Sequence, residues 1–175
     1  MDRVFEAERA SLTGYVLHGV AGSGTVEIKY AQGLWMPGSK PGDVSALGRP
    51  RSFPQIVMPD ETLTLVRRIT YGGFLRTDYD VDFLDAQGNV KLAAALPAGP
   101  LSRFSFGGAA YKVDQISRLS FRPVLLRDDT QVARFRETTP FLSFSSRKTY
   151  QLQVQTDVPP LALAAAFFIS VMKFY

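Results

Sequence analysis

Apolar residues in this chain recur mostly at every second position. "TVEIKY" at 25–30 and "YQLQVQT" at 150–156 alternate apolar and polar side chains with a period of two, the spacing of a strand with one buried face. Other short stretches of similar character, bounded by Gly, Pro or Asp, are "LTGYVLH", "TLTLVRRIT", "YDVDFL", "NVKLAAAL", "RFSF", "AAYKVD", "RLSFRPVLL" and "QVARFRE". Together they predict about ten to twelve strands. Turn chemistry separates them: "AGSG" at 21–24, "DAQGN" at 85–89 and "DDTQ" at 128–131 place Gly, Asn or Asp where hairpins need unusual dihedrals. Between Pro37 and Pro59 five prolines interrupt the pattern, which predicts a long surface loop with at most a short edge strand near Ile56. "YDVDFLDAQGNVKLAA" and "RPVLLRDDTQVARFRE" share the order of apolar strand, acidic turn and second strand, as one hairpin used twice would.

The period changes at the end. From Leu161 to Met172 every residue is apolar except Ser170, with no polar stripe, so a helix here must be covered on all sides by protein or by lipid. Pro160 to Tyr175 would make a helix of about 24 Å, and its uninterrupted apolar part is about 18 Å long. A bilayer core of about 30 Å asks for more. Pro159 and Pro160, behind Asp157 as a cap, start the helix, and Ala162, Ala164, Ala165 and Ala166 keep its first half slim. The expectation is therefore a single domain, 1–175, in which residues 158–175 form a hydrophobic helix inside a closed β-barrel. Closure would also remove the exposed edges that so many strands would present. The alternative is a tail-anchored protein with a small β domain.

Composition narrows the classes further. A chain of 175 residues with 46% apolar and 21% charged side chains is neither disordered nor a multi-span membrane protein. With no cysteine and one histidine, disulfides, thiolate metal centres and multi-histidine zinc sites are excluded. The first residues lack the pattern of a secretory signal, so a cytoplasmic location is expected. The net charge of +4 is unevenly spread: residues 1–87 carry nine Lys and Arg against eleven Asp and Glu, residues 88–175 eleven against five. A basic second half suits an anionic partner, or is simply solvated surface.

Motifs for catalysis are weak. "GVAGSGT" at 19–25 has phosphate-loop glycine spacing but no lysine, and reads as a hairpin turn. "SSRK" at 145–148 has the Ser-x-x-Lys spacing without its companion motifs, and His18 has no definable triad. No enzyme is expected. Sequence-specific nucleic-acid binding has no supporting module either. In "TDYDVDFLDAQG", Asp78, Asp80 and Asp82 alternate and so share one strand face. That row would either take a hard cation such as calcium, stand as a solvated acidic face, or pair with arginines of a neighbouring strand; the Gly and Glu of an EF-hand loop are missing. By the same alternation Arg134 and Arg136 share a face, with Arg147 and Lys148 near in sequence, as candidates for an anion site.

The strand "YQLQVQTDV" running directly into "LALAAAFFISVMKFY", after many short strands with acidic hairpins, resembles the tubby C-terminal-like superfamily of tubby proteins, phospholipid scramblases and LURP-one-related proteins. The likeness is most specific over 111–175. It implies a closed, mainly β, antiparallel barrel of about twelve strands around a central hydrophobic helix. In tubby proteins a basic-x-basic strand contributes to phosphoinositide headgroup binding, and Arg134-Phe135-Arg136 is similar in pattern. In scramblases an acidic segment before the last helix is linked to calcium, where this chain offers only Asp157, and the lipidated cysteines are absent. The functional expectation is a non-enzymatic barrel without cofactor that binds anionic phospholipid at a membrane surface, or an acidic protein partner. A scramblase-like lipid-handling protein is the other option within that resemblance.

Overall fold

The computed structural model describes residues 3–11, 14–22, 24–29, 54–72, 77–115, 121–139 and 148–174. Twelve strands form one closed antiparallel barrel in which neighbours in sequence are neighbours in space. They are β1 (Arg3–Ser11), β2 (Gly14–Ala21), β3 (Gly24–Lys29), β4 (Gln55–Val57), β5 (Thr62–Gly72) and β6 (Thr77–Leu84). The second half adds β7 (Val90–Leu96), β8 (Ser102–Phe106), β9 (Ala109–Gln115), β10 (Pro123–Arg127), β11 (Thr130–Glu137) and β12 (Thr149–Val154). An even number of antiparallel strands lets β12 return beside β1, where Phe5 lies opposite Leu152 and Ala7 opposite Tyr150. The helix α1 (Pro160–Phe174) runs through the interior.

Two periodicities meet in the core. Every second strand residue points inward, among them Leu17, Ile28, Ile56, Leu65, Phe83, Leu92, Val113, Phe135 and Leu152, and all are buried. Leu161 to Val171 of α1 are buried without interruption. The helix backbone comes closest to β2 and β3 on one side and to β9 across the barrel, an approach that a run of alanines permits. Phe167 is the hub of the packing: its ring meets Tyr150 at 5.3 Å, Tyr15 at 5.5 Å, Phe135 at 6.1 Å and Phe121 at 6.4 Å, all edge to face. Ser170, the polar residue of the apolar run, returns its hydroxyl hydrogen to the Ala166 carbonyl at 2.7 Å. Burial pushes the Tyr15 phenol above its ordinary value, partly offset by the neighbouring Tyr150 side chain and by the Arg9 charge.

The turns follow their sequence signals. Asp128 and Asp129 both take positive φ, 49° and 65°, in the two-residue hairpin between β10 and β11, and Gly107 and Gly108 do the same between β8 and β9. In the longer turn between β6 and β7, the Asp85 carboxylate accepts the backbone N–H groups of Asn89 (2.8 Å) and Gln87 (3.0 Å). These bonds, that of Asn89 foremost, hold Asp85 below the usual carboxylate range. The two hairpins that look alike in sequence thus close by different turns.

Three expectations change. Gln55–Val57 is not an edge strand: it pairs with β3 on one side and β5 on the other, because a closed barrel has no edge. Asp157 does not cap α1. Its carboxylate takes Arg3 at 2.6 Å and its carbonyl takes Arg127 at 3.0 Å, which ties the β12–α1 connection to β1 on one side and β10 on the other, while Leu163 N–H reaches Pro159 O. Finally, β1 is a strand that the sequence reading omitted altogether. The remainder of the proline-rich 37–59 segment, up to residue 53, lies outside the described residues.

Candidate functional site

With the interior filled by side chains, the chemistry of the described barrel lies on its outer wall. On β11, Ala133 and Phe135 point inward and Arg134 and Arg136 outward, so the alternation delivers both guanidinium groups to one exposed face. Arg134 lies opposite Val124 of β10 and Gln153 of β12, and its Nε donates to Gln153 Oε1 at 2.6 Å, which orients the fork. Arg136 lies opposite Gln151. Arg122, exposed just before β10 and two residues ahead of Val124, adds a third guanidinium on this flank. Among the described residues, none of Arg122, Arg134 and Arg136 has a carboxylate partner.

Carboxylates bound this face. Gln151, opposite Arg136, is itself opposite Glu6 of β1, and Val124, opposite Arg134, is itself opposite Asp114 of β9. The basic area is therefore a few side chains wide. Lys148 does not extend it: its ammonium is 3.4 Å from Glu137 and its charge is answered there. Arg147, the fourth candidate, lies outside the described residues. Arg122 is the member that the sequence reading did not single out, although it stands within "RLSFRPVLL" in phase with Val124. Guanidinium groups offer planar pairs of donors that match phosphate and carboxylate oxygens.

The aspartate row is not drawn together into a set of cation ligands. Asp78, Asp80 and Asp82 do share the outer face of β6, between the inward Tyr79, Val81 and Phe83. Asp78 and Asp82, four residues apart along the strand, stand about 13.6 Å from each other, too far for all three carboxylates to converge on one ion whose oxygen ligands lie about 2.4 Å away. No three His, Cys, Asp or Glu side chains among the described residues gather as metal ligands. Asp78 instead accepts the Ala98 backbone N–H at 2.8 Å and holds the turn after β7. Arg68 of β5 lies opposite Asp80 in register. Asp157, the acidic residue ahead of the helix, is occupied by Arg3.

No family model matches this chain, and neither curated proteins nor solved structures give a match. The site must therefore speak through its own chemistry. His18 is an exposed strand residue 3.4 Å from Glu8, on the same wall, with no nucleophile in that pair. Gly19, Gly22 and Gly24 shape the β2–β3 hairpin, not a phosphate loop. "SSRK" falls outside the described residues except for Lys148. No helix among the described residues is long and apolar enough to cross a membrane, and α1 is already covered by the barrel wall, so its apolarity needs no bilayer to explain it.

Proposed function

We propose that this protein is a non-enzymatic binding barrel that engages an anionic phospholipid headgroup through Arg134, Arg136 and Arg122, as a distant member of the tubby-like group. One observation carries the reading: three exposed arginines share a flank of the wall without a carboxylate partner among the described residues. Other cations on this barrel are paired, as Lys29 with Glu27 and Lys148 with Glu137. A twelve-stranded closed barrel around a C-terminal helix supports the resemblance at the level of fold, and a fold confers no activity by itself. Because Glu6 and Asp114 flank the arginines, the reading favours one headgroup over a broad electrostatic contact with a bilayer.

Flotation of the purified chain with anionic and neutral vesicles tests this. Each arginine near an anionic surface contributes about 1 kcal/mol, so reversing Arg134 and Arg136 to Glu should weaken partitioning by about thirtyfold or more. Raising the salt to about 1 M shortens the screening length to about 3 Å and should release the protein. Flotation that survives both the double reversal and high salt would remove these arginines from the site. Absence of flotation with either vesicle would turn the reading toward an acidic protein partner.

A further inference from the structure

We propose that a furrow farther round the outer wall, over β7, docks an extended segment of a partner protein carrying a cationic and an anionic side chain two positions apart. The furrow arises from side-chain size. Ladder pairing sets Asp80, Ala95, Arg103 and Lys112 in one row across β6 to β9, and Asp82, Ala93, Ser105 and Ala110 in the next. Alanine is disfavoured on sheet surfaces, yet Ala93, Ala95 and Ala110 are all exposed and leave the middle of these rows low. Beneath them Phe104 and Tyr111 stack at 5.0 Å and make the floor rigid. The hollow measures about 540 Å³. A second hollow of about 340 Å³, reaching Thr70 and Pro97, shares Asp80, Ala95 and Arg103 with it, so the two form one elongated depression.

Charge complementarity selects the occupant. Asp80 and Arg103 stand on opposite walls with only the Ala95 methyl between them in the row. Among the described residues neither has an ion-pair or hydrogen-bond partner. Lys112, next in the row, is already answered by Asp129. Two strand spacings separate the backbones of Asp80 and Arg103, about 9.6 Å. In an extended chain laid along the furrow, residues two apart face the same way about 6.8 Å from each other along β7, so a lysine leans across to Asp80 and a glutamate to Arg103 through their long side chains. A purely acidic or purely basic segment meets one repelling wall. This site is separate from the arginine flank on β11 and does not depend on it.

Amide chemical shifts of the full, nitrogen-15-labelled chain read the outcome. The probe is the blocked peptide acetyl-Ala-Lys-Ala-Glu-Ala-amide, beside its all-lysine and all-glutamate counterparts and free glycine as a small zwitterion. The mixed peptide alone should give saturable shifts on β6 to β8 around Asp80, Ala95 and Arg103. Reversal of one wall, as Asp80→Lys or Arg103→Glu, should weaken it by about tenfold, and Ala95→Tyr, which fills the furrow from the solvent side, should abolish it. Arg103 is exposed and outside the core, so Arg103→Glu decides the matter even if Ala95→Tyr fails to fold. The proposal is overturned if the mixed peptide gives no saturable shift, if a single-sign peptide or glycine reproduces the pattern, or if folded Ala95→Tyr or Arg103→Glu binds undiminished.

Discussion

Truncating Phe167 to alanine tests whether α1 is the core of the barrel. The side chain is fully buried, and its ring meets four others edge to face at 5.3 to 6.4 Å. Loss of a buried phenylalanine costs about 3 to 5 kcal/mol, the spread reflecting how far the surroundings collapse into the hole. Here the wall is a ladder closed on itself, so strands cannot move inward one at a time, and the cost should fall near 5 kcal/mol. Phe167→Leu keeps most of the apolar contact but loses the ring pairs, each worth about 0.5 to 1.5 kcal/mol and not additive, for a cost of about 2 kcal/mol. Ile169→Val, two residues on and also fully buried, removes one methyl and should cost about 1 kcal/mol. Urea unfolding followed by circular dichroism orders the three; with a slope of about 2 kcal/mol per molar, the alanine midpoint should drop by about 2.5 M. An alanine variant no weaker than Ile169→Val would place this ring outside a closed core and undo the account of the fold.

Other outcomes follow from single residues. Gly14→Ala should cost about 3 kcal/mol in the same assay, because its Cβ would lie 2.3 Å from the Ile28 carbonyl oxygen, a backbone atom that moves only with β3. Ser102→Ala should leave stability unchanged or raise it by up to about 1 kcal/mol, since the Ser102 hydroxyl is buried with no hydrogen-bond partner among the described residues. For Asp85, the folded-state pKa is depressed, so its contribution is present above the ordinary carboxylate value and is lost as pH falls through the folded one. The melting-temperature deficit of Asp85→Ala should accordingly be full at neutral pH and shrink in acid, and a deficit constant from pH 7 to acid would refute the carboxylate's role in that turn.

The strand-like stretches read from the sequence coincide with ten of the twelve strands, and the eleventh, near Ile56, was expected only at an edge; where alternation is clear it records the burial of one face. The strand that escaped, "RVFEAERAS", is written in Glu, Ala and Arg, residues with little preference for a sheet. Its inward set is only Phe5 and Ala7 in the middle of the strand, too little apolar signal to stand out, and it forms because β12 and β2 flank it with partners on both sides. Asp157 shows the same limit from another direction. Its place before two prolines fits a cap, but its choice of partner depended on Arg3, 154 residues away.

The outer wall explains why the candidate sites were harder to read than the fold. Alternation tells which residues face out, as it did for Arg134, Arg136, Asp80 and Asp82, but not what stands beside them around the circumference. That neighbourhood is set by register through successive ladders, and it changes the chemistry completely. The same rule that placed three aspartates on one face of β6 also kept them too far apart to share an ion. It set Asp80 instead across an alanine from Arg103, a residue 23 positions away that no pattern along the chain joins to it. Since α1 and the inward residues pack the core, both proposed sites lie on these outward rows, and single outward substitutions can alter binding without touching the core. That separation makes both proposed sites testable: reversal of Arg134 and Arg136, or of Arg103, should change binding while the unfolding midpoint stays where it was.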